Sequence, residues 1–347
     1  MKINRFKIKK LFILLIAISV TPALFMTLPK MAAALPHSLA DALQSRRLPF
    51  DDIVWLPLVS EPSESESAPE SDTSFAESDT DCDVSFEEYK NAVKAVNLCW
   101  YEKGEAPSLF TVNYSSYDIR LDRYLSRPMP FEISDISMPT VLIIHTHGSE
   151  CYLGDGMSTY PDGETYRSTD PEKGVVSAGR ELARVLRENG IGVIHDETMH
   201  DIEDFNTSYV RSKKAVKDIL AEYPSIKCVI DLHRDSIFTS DGENQKPVCN
   251  IGGTDSAQIM LVVGTDEIGS HPDWQSNLTF AVKLQGEMNS RYPTLARPVN
   301  IRSSPFNQSL SKGMLIAEIG SCGNTITEAR AAAKMLGVCL ASVLKNA

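Results

Sequence analysis

Two histidines and a glutamate follow a short apolar run near the middle of the chain. The stretch VLIIHTHGSECY, residues 141–152, places His145, His147 and Glu150 after four apolar residues. Such a run predicts a buried strand, and in α/β proteins the side chains that follow a buried strand lie at the rim of the sheet, where ligands bind. Neutral imidazoles with a carboxylate are typical of hydrolytic zinc sites, in which three protein ligands leave one position open for water.

A second apolar run supplies the third imidazole that such a site needs. In VIDLHRD, residues 229–235, His233 follows the run. A single histidine at a strand end is more often a hydrogen-bonded structural residue than a ligand. Two such strand ends with carboxylates beside them favour a metal site. The remaining histidines are interpreted as structural, although His195 and His200 are close enough to the C-terminal end of a strand to line a cleft: His37, His195, His200 and His271.

A glutamate lies inside a third apolar run, LIAEIG at residues 315–320. Burial of an unpaired carboxylate is costly, so Glu318 is expected to have a specific role. One interpretation is a buried ion pair with an arginine. The interpretation that we favour is a general base and acid, with a pKa that burial raises toward the working pH.

The N-terminal residues 1–35 predict export. Five basic residues within the first ten precede an apolar run that extends from residue 11 to about residue 28. This order is typical of a membrane-inserting segment, and MAAAL at 31–35 also fits a small-residue cleavage site. We expect an anchor rather than a cleaved signal, which places the protein at the extracytoplasmic face of the cell membrane.

Residues 36–84 predict a disordered acidic linker, since residues 60–83 are rich in Ser, Pro and acids and hold little apolar area. The linker contributes much of the net charge of −12. No stripe of basic and aromatic residues appears elsewhere, which argues against nucleic-acid binding. Residues 85–134 form an N-terminal extension of the catalytic region, with a helix predicted over 86–101.

Residues 135–347 predict one α/β domain, in which a mainly parallel sheet is covered on both faces by helices, giving three layers. Strands are predicted at 141–144, 191–194, 226–232, 258–263 and 314–319. Helices are predicted at 175–188, 209–223 and 278–292. A capping box, Thr325 to Glu328, opens a long last helix.

Several separate blocks then make the sequence recognisable. They are HTHGSECY (145–152), HDETMHD (195–201), YPSIKCVIDLHRD (223–235), HPDWQSNLTFA (271–281), FNQSLS (306–311) and AEIGSCGNTITEA (317–329). With these blocks in this order, the chain from about residue 108 onward resembles the stage II sporulation protein P family of endospore-forming bacteria. Members of this family are peptidoglycan hydrolases that thin the septal wall during engulfment of the forespore.

The resemblance implies a zinc-dependent N-acetylmuramoyl-L-alanine amidase with a zinc amidase-like fold and a second activity against peptide cross-links. It implies zinc ligands at His145 or His147, at Glu150 and at His233, and a catalytic Glu318. His145 is favoured because it lies nearest the strand end, although residues two apart in an extended segment point to the same side. His147 is the second choice, or a substrate contact.

Four further residues are placed around the expected site. Glu172 competes with Glu150, because it precedes a helix as the glutamate ligand does in simpler amidases. Asp231 and Asp235 are expected to orient imidazoles. Arg234 is expected to hold a substrate carboxylate or to pair with Asp235.

The family also implies peptidoglycan as substrate and the stage II sporulation proteins D and M as partners. Two other functions remain open: a peptidoglycan-binding scaffold without catalysis, and a metallopeptidase that acts on stem peptides.

Overall fold

The computed structural model describes residues 53–55, 93–100, 109–160, 166–240 and 242–347. The strands are β1 (Ile53–Trp55), β2 (Val93–Val96), β3 (Thr111–Asn113), β4 (Pro139–Ile144), β5 (Gly192–His195), β6 (Cys228–Asp235), β7 (Ile237–Thr239), β8 (Asn244–Ile251), β9 (Thr254–Ala257), β10 (Ile259–Gly264), β11 (Val299–Arg302) and β12 (Gly313–Ser321). The helices are α1 (Leu121–Leu125), α2 (Val175–Glu188), α3 (Ser208–Glu222), α4 (Trp274–Arg291) and α5 (Ile326–Lys345).

A seven-stranded sheet organises the molecule, in the order β3-β11-β10-β12-β6-β4-β5. All neighbouring strands in it are parallel except β10 and β12, which are antiparallel. The fold is therefore mixed α/β. Because β12, β6, β4 and β5 run in one direction, their carboxyl ends meet along one edge of the sheet.

The apolar residues of β4 alternate between two cores, because successive side chains of a strand point to opposite faces. Val141 and Ile143 pack with helices α2, α4 and α5 in the larger core. Leu142 and Ile144 pack with Val216 of α3 in the smaller one. Helices thus cover both faces of the sheet, and this explains why the strand reads as a continuous apolar run.

The helices begin and end near the predicted residues. Helix α2 has the predicted bounds, and Gly190, with a φ of +79°, follows its end as expected of a helix stop. Helix α5 begins with both bonds of a capping box, between Thr325 and Glu328. The other predicted strands and helices are present with shifts of a few residues at their ends.

A second, smaller sheet was not predicted. In it β8 lies between β7 and β2, and β9 pairs with β8. The helix predicted over 86–101 is wrong where the structure describes it, since Val93–Val96 is a strand parallel to β8. The backbone of Val93–Val96 forms its hydrogen bonds with β8, about 150 residues later in the chain. Local periodicity cannot reveal a pairing over such a distance.

Two predictions fall outside the described residues: the membrane-inserting segment within 1–35 and the acidic linker at 36–84, except for residues 53–55 of that linker, which form strand β1. Among the helices of the described ranges, none combines the length and the apolar character needed to span a membrane. The N-terminal extension 85–134 supplies β3, the edge strand of the large sheet, which pairs with β11.

The buried imidazole of His271, just before α4, makes a prediction about acid stability. Neither of its ring nitrogens has a hydrogen-bond partner among the described residues, and burial lowers its pKa to about 4. In the unfolded chain the pKa returns to about 6.5. Between these values the unfolded state binds a proton that the folded state does not, so stability is lost as the pH falls below about 6.5.

Replacing His271 with Gln should remove this proton linkage. From pH 7 to pH 5, the free energy of unfolding of H271Q should fall by about 2 kcal/mol less than that of the unmodified protein. Urea denaturation at the two pH values measures both differences. Equal losses in the two proteins would show that His271 binds its proton equally in the folded and unfolded states.

Candidate metal and catalytic site

Three polar strand ends that the sequence singled out are neighbours in the large sheet. Strand β6 lies between β4 and β12. Ile144, the last residue of β4, is in register with Asp231, and His233 is in register with Glu318. Parallel pairing therefore brings the residues that follow β4 next to the polar ends of β6 and β12.

His147, Glu150 and His233 form a buried cluster. Their donor atoms all lie within 4.8 Å of one another. The Glu150 carboxylate lies between the two imidazoles, with Oε1 3.5 Å from His147 Nδ1 and Oε2 3.5 Å from His233 Nδ1. Each of the three side chains is nearly inaccessible to solvent. Two nitrogens and one carboxylate converge on a single point.

His145, which the sequence favoured as the first ligand, lies outside this cluster. Its Nδ1 is 3.0 Å from the carbonyl oxygen of Leu232, and its Nε2 is 2.8 Å from Nε2 of His195 on β5. A carbonyl only accepts, so His145 Nδ1 carries the proton and Nε2 accepts from His195. The chain turns directly after β4, so the two histidines point to different places and the same-side expectation for an extended segment is wrong here.

The structure also separates Glu150 from its competitor Glu172. Glu172 is exposed and pairs with Arg180 and Arg330. Glu150 is held in the cluster, where its Oε2 accepts a hydrogen bond of 3.0 Å from the backbone N–H of Arg234.

The side chain of Arg234 has a structural role that the sequence did not indicate. It is buried and donates to the carbonyl oxygens of Cys151 and Tyr166 and to the hydroxyl of Ser236. Arg234 thereby ties the segment that carries Glu150 to strand β6. Neither predicted role, a bond to a substrate carboxylate or an ion pair with Asp235, matches these contacts.

The two aspartates on β6 differ. Asp231 accepts hydrogen bonds from the backbone N–H and the hydroxyl of Thr146, at 2.8 and 2.6 Å, and its Oδ1 lies 3.0 Å from His233 Nε2. It therefore orients an imidazole, as an outer carboxylate does in metal sites. Asp235 instead pairs with Arg297 at 2.8 Å.

The charges of the cluster are strongly coupled. Burial by itself lowers the pKa of His233, but the carboxylates of Asp231 and Glu150 outweigh it and hold that pKa well above its usual value. Burial likewise opposes ionisation of Glu150, and its contacts with His147 and His233 still keep its pKa well below the usual range. For His147, burial dominates and lowers the pKa. The cluster thus favours a positive charge between its carboxylates, which a proton or a cation can supply.

Glu318 is buried in β12 beside His233, and its Oε2 has no hydrogen-bond partner among the described residues. Burial raises its pKa to about 8. The alternative of a buried ion pair finds no support there, because the nearby Arg297 bonds to Asp235. A carboxyl group with this pKa accepts and releases protons near neutral pH.

The donor set fits a divalent metal such as zinc. His147 Nε2 is buried without a hydrogen-bond partner among the described residues, and His233 Nδ1 faces the Glu150 carboxylate at 3.5 Å without a hydrogen bond of acceptable geometry. Unsatisfied buried nitrogens are costly unless they bind something. Two imidazoles and one carboxylate are one of the ligand sets of catalytic zinc.

The sequence analysis did not predict the residues that form one wall of the site. The Phe205 ring stacks on the His147 ring with 4.4 Å between the two centroids. The guanidinium Cζ of Arg167 lies 4.3 Å from the centroid of the same Phe205 ring. Arg167 also pairs with the buried Asp201, whose carboxylate accepts hydrogen bonds from Ser149. These residues come from loops without hydrophobic periodicity, so only the blocks of family resemblance pointed near them.

The fold and the site define a mixed α/β protein with a buried His-Glu-His cluster of metal-binding type. The sequence profile of the family described as Stage II sporulation protein P (SpoIIP) matches residues 55–341. The chain therefore belongs to the stage II sporulation protein P family. It is 30% identical over 210 residues to stage II sporulation protein P of Bacillus subtilis (strain 168), a match that covers 56% of this chain and 48% of the relative, about half its length.

Solved structures with some likeness include two amidases. One is the N-acetylmuramyl-L-alanine amidase of Mycobacterium smegmatis, at 10% identity and a TM-score of 0.33, covering 62% of this chain and 100% of that chain. The other is an N-acetylmuramoyl-L-alanine amidase of Nostoc punctiforme, also at 10% identity and a TM-score of 0.33, covering 61% and 97%.

The contacts of Arg234 predict that it stabilises the fold rather than binding substrate. Replacing Arg234 with Met removes donors from two carbonyl oxygens, so the free energy of unfolding should fall by roughly 3 kcal/mol. Chemical denaturation measures this. Arg120→Met, which removes an exposed pair with Asp122, is the control and should change stability little. A stable R234M protein with weakened substrate binding would restore the carboxylate-binding interpretation.

Proposed function

We propose that this protein is a zinc-dependent N-acetylmuramoyl-L-alanine amidase that cuts the amide between N-acetylmuramic acid and the L-alanine of the stem peptide. The observation that carries the proposal is the convergence of His147, Glu150 and His233 within 4.8 Å, with the acid Glu318 on the adjacent strand. Membership of the stage II sporulation protein P family, to which the sequence resemblance attributes peptidoglycan hydrolysis, supports the substrate.

His147, Glu150 and His233 would hold the zinc ion, and Asp231 would fix the ring of His233. A bound zinc ion polarises a carbonyl group and lowers the pKa of water. His145 takes no part as a ligand in this proposal, since its two nitrogens already bond to Leu232 and His195. Its role is to hold the turn after β4 against β5 and β6.

Glu318 would move the proton of the reaction. As water attacks the carbonyl carbon of the amide, Glu318 accepts the proton that the water loses. It then returns this proton to the nitrogen of L-alanine, so that the C–N bond breaks and the peptide leaves with a neutral amine. A pKa near 8 suits a group that must first accept and then donate.

The remaining parts of the proposal rest on family membership and on the N-terminal sequence. They are a three-layer, mainly parallel, zinc amidase-like domain, a further endopeptidase activity against peptide cross-links, and action on the septal wall during engulfment in sporulation. They also include a membrane anchor that holds the enzyme at the extracytoplasmic face, and the stage II sporulation proteins D and M as partners.

Zinc content separates the two histidines after β4. In His147→Gln and His233→Gln, each change removes one ligand, so zinc content at micromolar protein should fall well below one ion per chain. His145→Gln should retain one ion per chain, because both nitrogens of its imidazole already bond to Leu232 and His195. Atomic emission analysis after dialysis gives the stoichiometry, with circular dichroism to confirm folding. If only H145Q loses zinc, His145 at the end of β4 is the ligand instead of His147.

Digestion of purified sacculi tests the reaction, with Glu318→Gln as the matched variant. The zinc-loaded protein should release peptides with free L-alanine amino ends, identified by mass spectrometry. In E318Q the side chain cannot accept a proton, so turnover should fall by about 10²-fold or more while zinc content and melting temperature stay unchanged. Shortened stem peptides would instead indicate a metallopeptidase, and bound but uncut sacculi a scaffold. An E318Q protein with normal turnover would remove Glu318 from the mechanism.

A further inference from the structure

A cavity of about 330 Å³ opens beside the candidate site. Its lining includes Cys151, which follows Glu150 in the chain, and Arg167. Its apolar lining includes Leu153, Met157 and Ile326. A cavity of this size matches the small end of ligand-binding pockets. None of the residues of the proposed reaction lines it, so the cavity needs an explanation of its own.

Arg167 connects the cavity to the metal-binding cluster. The guanidinium Cζ lies 4.3 Å from the Phe205 ring centroid, and that ring lies 4.4 Å from the His147 ring, so the cation is within about 9 Å of a proposed zinc ligand. Two residues of extended peptide span about 7 Å. A peptide whose first amide lies at the cluster can therefore reach Arg167 with its second residue.

The ionic side chains of the cavity favour an anion. Arg167 and Lys173 are its cationic lining residues, and Glu172 is the acidic one. The Glu172 carboxylate is already paired with Arg180 and Arg330, which leaves it a weak competitor for Lys173. Lys173 is exposed and forms no ion pair within the described part of the chain. Arg167 pairs with Asp201 yet keeps 41% of its side chain accessible.

We propose that this cavity binds the stem peptide next to the cut, with the apolar wall against the alanine methyl group and with Arg167 and Lys173 paired to the carboxylate of the second, acidic residue. The inference rests on the proposed amidase function and adds the chemical basis of its selectivity. The enzyme should prefer a stem peptide with a free α-carboxylate at that residue over one in which the group is an amide.

Direct binding tests the cavity without requiring turnover. The ligands are a free L-alanyl-γ-D-glutamyl peptide, which is the expected product, and the same peptide with the α-carboxylate converted to an amide. Calorimetry with the zinc-loaded full chain should show roughly tenfold tighter binding of the acid, since a carboxylate between two cations gains charge-assisted hydrogen bonds. Lys173→Met and Arg167→Met should each reduce this preference to threefold or less. Lys312→Met, a change of another exposed lysine, should leave it unchanged.

Melting temperatures of the variants exclude a folding defect, which matters for Arg167 because it also holds Asp201. Equal affinity for acid and amide in the unmodified protein would overturn the inference, and so would a preference that both variants retain. Sacculus digestion is measured in parallel. If the protein cuts sacculi but does not prefer the acid, the assignment of the cavity is wrong and the proposed reaction stands. If the protein prefers the acid but does not cut sacculi, the assignment of the cavity stands and the proposed reaction is wrong.

Discussion

Burial of opposite charges at the ends of three adjacent strands is the constraint on which the site depends. Asp231, Glu150, His147 and His233 are all nearly inaccessible to solvent, and the ring of His233 lies between the two carboxylates. Charges so deep in a protein are tolerated only when they are paired or bind a cation. The carboxylates of Asp231 and Glu150 raise the pKa of His233, and the contacts of Glu150 with His147 and His233 lower the pKa of Glu150.

The surrounding structure holds the cluster in place by hydrogen bonds to backbone atoms. Thr146 fixes Asp231, Arg234 fixes the segment that follows Glu150, and His145 ties the turn after β4 to β6. The proposed metal ligands are therefore held in place by the fold itself, and such preorganisation lowers the cost of ordering ligands on binding.

Two environments next to each other give the proposed reaction its division of roles. The cluster is rich in donors and suits a cation, while Glu318 lies in an apolar strand whose burial favours its protonated form. The neighbouring cavity, which we propose to bind the carboxylate of the stem peptide, is lined by the cations Arg167 and Lys173. In the proposed reaction, this separation of charges lets Glu318 move the proton while Arg167 and Lys173 hold the carboxylate of the peptide.

The sequence by itself determined most of the large sheet and the types of residue in the site. Alternating apolar runs and helical periods gave the bounds of α2 and the positions of β4, β6 and β12, because these elements are set by local burial patterns. The buried glutamate at 318 was also evident, since a lone acid in an apolar run is a strong local signal. Family membership was evident from the blocks between residues 145 and 329.

Only the tertiary structure decided which of these residues meet. The cluster contains His147 rather than His145, and Glu150 rather than Glu172, because of how the chain turns after β4. A turn has no periodic pattern from which the sequence could predict these contacts. The smaller sheet, the buried role of Arg234 and the stack of Arg167 on Phe205 each join segments that are distant in sequence. Such contacts are fixed by packing and by the satisfaction of buried polar groups across the fold, not by the residues next to them in the chain.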